Sequence, residues 1–225
     1  MFAQTMVDLG QNRSTIREIF EYGKRRIAEV GAENVYDFSI GNPSVPAPDS
    51  VRGAVMEVLD TFGPVDTHSY TSAQGDAAVR AAMAQDLNRR FGTDFHADNF
   101  YMTVGAAAAL SACFRALAEP GDEFIAIAPF FPEYRCFVEK GAGAKLVVVD
   151  ADTTAFQIDF ARLDAAIGPH TKAVIINSPN NPSGTVYSEG TIRQLAQLLT
   201  EKSKMFSHPV FLISDEPYRE LVYDD

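Results

Sequence analysis

The chain has 225 residues, 46% of them hydrophobic, which is enough for one large domain, or a domain and a half, around a packed core. Acidic residues outnumber basic ones by 30 to 19 and no run of Lys or Arg interrupts that excess, which argues against a nucleic-acid partner held by its phosphates. The opening MFAQTMVDLGQNRSTIREIF lacks a basic-then-apolar leader pattern and no apolar stretch is long enough to span a bilayer, so a cytoplasmic location without membrane contact is expected.

The first predicted element is an amphipathic helix over 14–30, where Ile16, Ile19, Phe20, Ile27 and Val30 recur at helical intervals behind a Ser14 cap and ahead of Gly31. A short apolar run, Val35 to Ile40, then meets GNPSVPAPDS, whose three prolines and glycine interrupt regular structure. A boundary is therefore expected near Pro46, separating an arm and helix over 1–45 from a larger domain over 46–225. From there strand-like runs alternate with helical windows. FYMTV, FIAIA, KLVVV, AVIIN and VFLIS are short and mostly apolar or β-branched, while helices are predicted near 76–91, 106–118, 132–140, 159–167 and 188–203. That order predicts an α/β fold: a mostly parallel sheet with helices on both faces.

Cys113 and Cys136 lie in apolar stretches without CxxC spacing and read as reduced, buried small hydrophobes. The histidines at 68, 96, 170 and 208 are scattered without HxxxH spacing, so no protein-bound metal is predicted.

Open parallel sheets bind ligands beyond the carboxyl ends of their strands, which directs attention to the residues after each run. Thr103-Val104-Gly105-Ala106-Ala107 opens a helix, where free backbone N–H groups and the helix dipole would favour an anion; small residues there equally suit tight helix packing. Asp215, after VFLIS, is either a carboxylate aimed into the ligand crevice or a helix N-cap. Asn180-Asn181-Pro182-Ser183-Gly184 reads as a turn, with a cis peptide open before Pro179 or Pro182. Phe131, between Pro129 and Pro132 and beside the latter, is either core or an aromatic face for a planar ligand. Gly141-Ala142-Gly143 precedes its strand instead of following one, which rules it out as a dinucleotide fingerprint.

GNPSVPAP, SYTSAQG, TVGAAAAL, EPGDEFIAIAPFFPEY, NSPNNPSG and SDEPYRELVY stand in the order found in class I aminotransferases, members of the fold type I group of pyridoxal phosphate enzymes. The sequence resembles that family from about Ile16 to its last residue, and the pairing of NSPNNPSG with SDEPY is its most specific feature. The resemblance implies transfer of an amino group between an amino acid and a 2-oxo acid, with pyridoxal 5'-phosphate as cofactor. Residues 1–45 would contribute to a small domain and 46–225 would form most of the large, cofactor-binding one.

By the same resemblance, backbone amides of Gly105, Ala106 and Ala107 would hold the cofactor phosphate, without the hydroxyl or lysine that many relatives place there. Phe131 would stack on the pyridine ring, Asn181 and Tyr218 would share the ring hydroxyl, and Asp215 would face the ring nitrogen. A carboxylate there keeps the ring protonated and so makes it an electron sink. Tyr70 would reach the phosphate in a neighbouring subunit, which implies a homodimer with shared sites. Gly41 would border the substrate carboxylate, with Asn181 nearby.

The family's cofactor-carrying lysine lies a few dozen residues after the aspartate; here ten residues follow Asp215 and none is lysine. The expectations are that this chain alone is inactive, that its sheet lacks strands, and that apolar surface is left exposed. The alternatives are another reaction of the same fold type, such as a carbon–sulfur β-lyase, and a transcription regulator's aminotransferase-like sensor, against which stands the absence of a winged-helix segment before residue 16. A nucleotide-binding α/β protein would need a GxxxxGK[ST] or a correctly placed GxGxxG, and neither occurs.

Overall fold

The structure, a computed structural model, describes residues 2–11, 15–41, 45–221 and 223. Ser14, the expected helix cap, and Asn42, Pro43 and Ser44 of GNPSVPAP lie outside the described residues. Contacts divide the chain into two compact units, 1–70 and 71–225.

The first unit is helical: α1 (Gln4–Gln11), α2 (Thr15–Val30), α3 (Asp49–Thr61) and α4 (Pro64–Thr67). α2 stops where expected, at Gly31, whose φ of 87° is open to glycine at little cost. The sequence reading did not include α3 and α4: Val51, Val55, Val58 and Leu59 of DSVRGAVMEVLDT recur at helical spacing, but the proline-rich GNPSVPAPDS runs into the first turn of α3 and masks its start. α3 touches α4, so these residues belong with the N-terminal unit, and the contact boundary falls at Tyr70–Thr71, further along the chain than Pro46. Among the described residues the buried apolar side chains begin at Ala84, while Val51, Val55, Met56, Leu59 and Phe62 of this unit are exposed.

The second unit carries the predicted α/β pattern. Its helices are α5 (Ala77–Phe91), α6 (Ala106–Leu117), α7 (Glu133–Arg135), α8 (Phe160–Ala166) and α9 (Glu189–Phe206), and its strands are β1 (Glu123–Ala128), β2 (Lys145–Asp150), β3 (Thr171–Asn177) and β4 (Phe211–Asp215). Three helices begin on short polar caps: Asp76, Asp159 and Ser188 accept hydrogen bonds from the backbone N–H of Val79, Arg162 and Thr191. The helix expected over 132–140 is instead the short α7 continued by a π-helical turn, Cys136–Ala142, which Gly143 ends at φ 75°.

All strand pairs are parallel, in the order β2-β1-β3-β4. Alternation along the central strands sends Ile125, Ile127, Val174 and Ile176 to one face, against Leu163 of α8 and Leu195 and Leu199 of α9. Phe124, Ala126, Ala173 and Ile175 face the other way, against Leu110 and Phe114 of α6 and Val138. Helices thus cover both faces, which is why β1 and β3 read as nearly unbroken apolar runs.

Two expectations are corrected. FYMTV joins no strand: Met102 donates its N–H to Gln74 O, and Tyr101, Met102 and Val104 are exposed. Its β-branched, aromatic composition suits a strand, but a strand needs a hydrogen-bonded neighbour, and none is present beside it among the described residues. Cys136 is exposed and Cys113 only partly buried, because Cys136 starts the π-helical turn on its outer side. The sheet ends at β4, where Phe211 and Leu212 are exposed.

Candidate functional site

Chain order runs outward from β1 to β2, then returns across β1 to β3 and continues to β4. The direction of winding therefore reverses between β1 and β3, and a crevice opens beyond the carboxyl ends of such a pair. Three segments leave the sheet there: Pro129-Phe130-Phe131 after β1, Ser178–Asn181 after β3, and Glu216–Tyr218 after β4. The peptide bonds before Pro129, Pro179 and Pro182 are all cis, as the turn-rich NSPNNPSG left open for the last two.

A cavity of about 170 Å³ fills the crevice, lined by Ala106, Ala107, Leu110, Phe131, Asn177, Asn181, Asp215, Pro217 and Tyr218. It brings together Ala106, Ala107, Phe131, Asn181, Asp215 and Tyr218, residues picked from scattered parts of the sequence. Gly105 is the residue just before α6, with φ 86° and open space where a Cβ would stand. Tyr70 and Gly41 belong to the N-terminal unit; the Tyr70 side chain is fully exposed, and Gly41 is exposed as well.

Asp215 ends β4 as a buried carboxylate and starts no helix, which removes its N-cap alternative. Its Oδ2 accepts a 2.5 Å hydrogen bond from the hydroxyl of Tyr134, itself fully buried. Burial, and then the hydrogen bond and charge of Asp215, push the Tyr134 hydroxyl far above its ordinary range, so it remains a donor. Asn181 donates through Nδ2 to the Tyr218 hydroxyl at 3.2 Å, which sets these two polar groups side by side on the cavity wall.

Two participants escaped the sequence reading. Asn177 faces Asp215 in the β3–β4 register; its Nδ2 donates to Asp215 O at 2.7 Å and its Oδ1 accepts from Asn181 N at 2.6 Å. A polar residue ending the apolar run AVIIN was the available signal. Tyr134 offered less: it stands one turn beyond Phe131, and nothing local reveals that its hydroxyl meets a carboxylate 81 positions later.

The cavity lining combines unlike groups. The opening turn of α6 presents backbone N–H groups that have no partner within the helix, favouring an anion. The nearby hydroxyls bond elsewhere: Ser111 donates back to Ala107 O and Thr103 to Gly105 O. Asp215 is the one acidic residue of the lining, and Phe131 and Leu110 add apolar wall. A planar heteroaromatic ring bearing an anionic substituent and a basic nitrogen matches this pattern, and pyridoxal phosphate has that structure.

Fold and cavity define a doubly wound α/β protein with a switch-point crevice for a planar, anionic ligand. The chain belongs to the aminotransferase class I and II family, whose model matches residues 33–225; class I aminotransferases depend on pyridoxal phosphate. It is 32% identical over 211 residues to a probable N-acetyl-LL-diaminopimelate aminotransferase of Bacillus subtilis, covering 92% of this chain and 51% of that protein. Among solved structures, an amino transferase from Eubacterium rectale is 60% identical with a TM-score of 0.96, covering 100% of this chain and 56% of that one. The aspartate aminotransferase of Thermus thermophilus with maleate is 29% identical with a TM-score of 0.79, covering 95% of this chain and 53% of that one. The chain spans about half the length of the curated relatives it matches.

Proposed function

We propose that the protein transfers amino groups between an amino acid and a 2-oxo acid, and that this chain supplies the floor on which pyridoxal phosphate sits. The observation that carries the proposal is the buried carboxylate of Asp215 in one cavity with Phe131, Asn181, Tyr218 and the first turn of α6. When bound, the cofactor supplies an electron sink for the negative charge left as the substrate's α-proton departs.

The residues divide the work. Backbone amides at Gly105, Ala106 and Ala107 hold the phosphate, and Phe131 lies against the ring face. Asp215 keeps the ring nitrogen protonated, because withdrawing that proton would leave a buried carboxylate without its countercharge. The Asn181–Tyr218 pair shares the ring oxygen, and each partner, already oriented by the other, loses little freedom on binding. Gly41 and Asn181 border the substrate. Tyr70 acts on the phosphate of a second copy in a homodimer, a role its exposed side chain in the isolated chain leaves open. A cytoplasmic location remains part of the proposal; among the described residues no helix is long and apolar enough to cross a membrane.

Replacement of Asp215 by Asn in a full-length enzyme that carries the family's lysine tests the reading. The amide is nearly isosteric, so the fold should persist, while turnover should fall by roughly 10²–10³, the scale of losing one preorganised electrostatic contact at a reacting centre. Near-normal turnover with cofactor bound would take Asp215 out of this role.

A further inference from the structure

We infer that Tyr134 is a positioning residue for the cofactor, acting through Asp215: its hydroxyl occupies Oδ2 and leaves Oδ1 as the oxygen available to the ring nitrogen. The inference rests on the proposed placing of that nitrogen against Asp215.

Three observations converge on Tyr134. Its hydroxyl is the hydrogen-bond partner of Asp215 Oδ2 at 2.5 Å, in a buried setting where water does not compete. Its ring meets Phe131 edge to face, at 5.7 Å and 83°, and lies parallel to Phe130 at 6.2 Å. Its body is packed in the core cluster with Phe124, Val138 and Ile213, so the whole side chain is fixed from below. One immobile residue therefore braces both the aromatic face proposed for the ring and the carboxylate proposed for its nitrogen.

The direction of the bond is settled by chemistry. A buried phenol next to a carboxylate stays protonated, so Tyr134 donates and Asp215 accepts. A carboxylate held by one oxygen cannot rotate to exchange its two oxygens. Without the hydroxyl, Asp215 would keep its place on β4 but lose that restraint, and part of the cofactor's binding energy would go into restoring it.

The test compares two ligands on the purified protein: pyridoxal phosphate, and its 1-deaza analogue, in which C–H replaces the ring nitrogen. Dissociation constants are read by absorbance or fluorescence titration, independent of turnover. Wild-type protein should prefer pyridoxal phosphate; equal affinities would show that Asp215 does not face the nitrogen and would overturn the functional reading itself. Given that preference, Tyr134→Phe should weaken pyridoxal phosphate about tenfold and the analogue less than about twofold, since only the former needs the oriented carboxylate. Equal weakening of both ligands, or of neither, would overturn the inference while leaving the cofactor site standing. Should Tyr134→Phe unfold at the assay temperature, the same two titrations are run on wild type and variant in the cold with sucrose, which favours the folded state, and the same two outcomes decide.

Discussion

Replacing Asn177 by Ala removes an amide that bridges the ends of two strands, and its cost can be worked from the two bonds it makes. Asn177 is 4% exposed; Nδ2 reaches Asp215 O at 2.7 Å and Oδ1 receives Asn181 N at 2.6 Å. Truncation leaves two backbone groups without partners, each worth about 1–3 kcal/mol when buried. Water entering the vacated space from the adjoining cavity would recover part of this, so a loss of about 2–4 kcal/mol is expected. For a domain of this size each kcal/mol lowers the melting temperature by roughly 2–4 °C, giving a fall of about 5–15 °C. Asn177→Asp, nearly the same shape, should be at least as damaging, because an acceptor would replace the donor facing Asp215 O and a second negative charge would lie near the first. Thermal melting followed by circular dichroism, together with a denaturant titration, gives both numbers. A change under about 0.5 kcal/mol for Asn177→Ala, the range of ordinary surface substitutions, would refute the bridging role.

Other outcomes follow from the same geometry. Tyr134 and Tyr187 both have hydroxyls pushed above the ordinary value of 10.0, chiefly by burial, so stability is fully present below that pH; above it the unfolded chain releases protons that the folded one retains, and stability falls. Alkaline denaturation should accordingly be less steep in Tyr134→Phe than in wild type by up to about 1.4 kcal/mol per pH unit, and identical slopes would contradict the burial of that hydroxyl. Tyr70→Phe should weaken retention of pyridoxal phosphate by a few-fold in proportion to dimer formed; an effect equal in monomer and dimer would remove the cross-subunit role. Borohydride reduction of the 225-residue chain with pyridoxal phosphate should give no stoichiometric single-site lysine adduct. The cavity lining contains no lysine, and Lys145 and Lys172 sit at the amino ends of β2 and β3, the opposite pole of the sheet, paired with Glu123 and Asp122. A single-site adduct accompanied by amino-group transfer would contradict this.

What was legible in the sequence is what local physics controls. Asp76, Asp159 and Ser188 announce helix starts because a short acceptor ahead of an apolar period satisfies amides that the helix leaves open. FIAIA and AVIIN announce central strands because both of their faces must be apolar. Asp215, Asn181 and Phe131 stood out because each follows such a run, where parallel sheets place their ligands. FYMTV misled for a complementary reason: strand composition is local, whereas strand pairing depends on a neighbour that the sequence of the segment does not encode. α3 was missed although Val51, Val55, Val58 and Leu59 recur at helical spacing, because the prolines of GNPSVPAPDS run up to its first turn and mask its start. Tyr134 and Asn177 were missed because their importance lies in contacts 81 and 38 positions away, which only the folded sheet creates.

The most direct test of the cofactor site is a crystal structure of the protein with pyridoxal phosphate bound. The cavity assignment predicts the phosphate at the first turn of α6, the ring against Phe131, and the ring nitrogen about 2.6–3.2 Å from Asp215 Oδ1, with Oδ2 still held by Tyr134. A cofactor bound with its nitrogen directed away from Asp215, or outside this crevice, would contradict it.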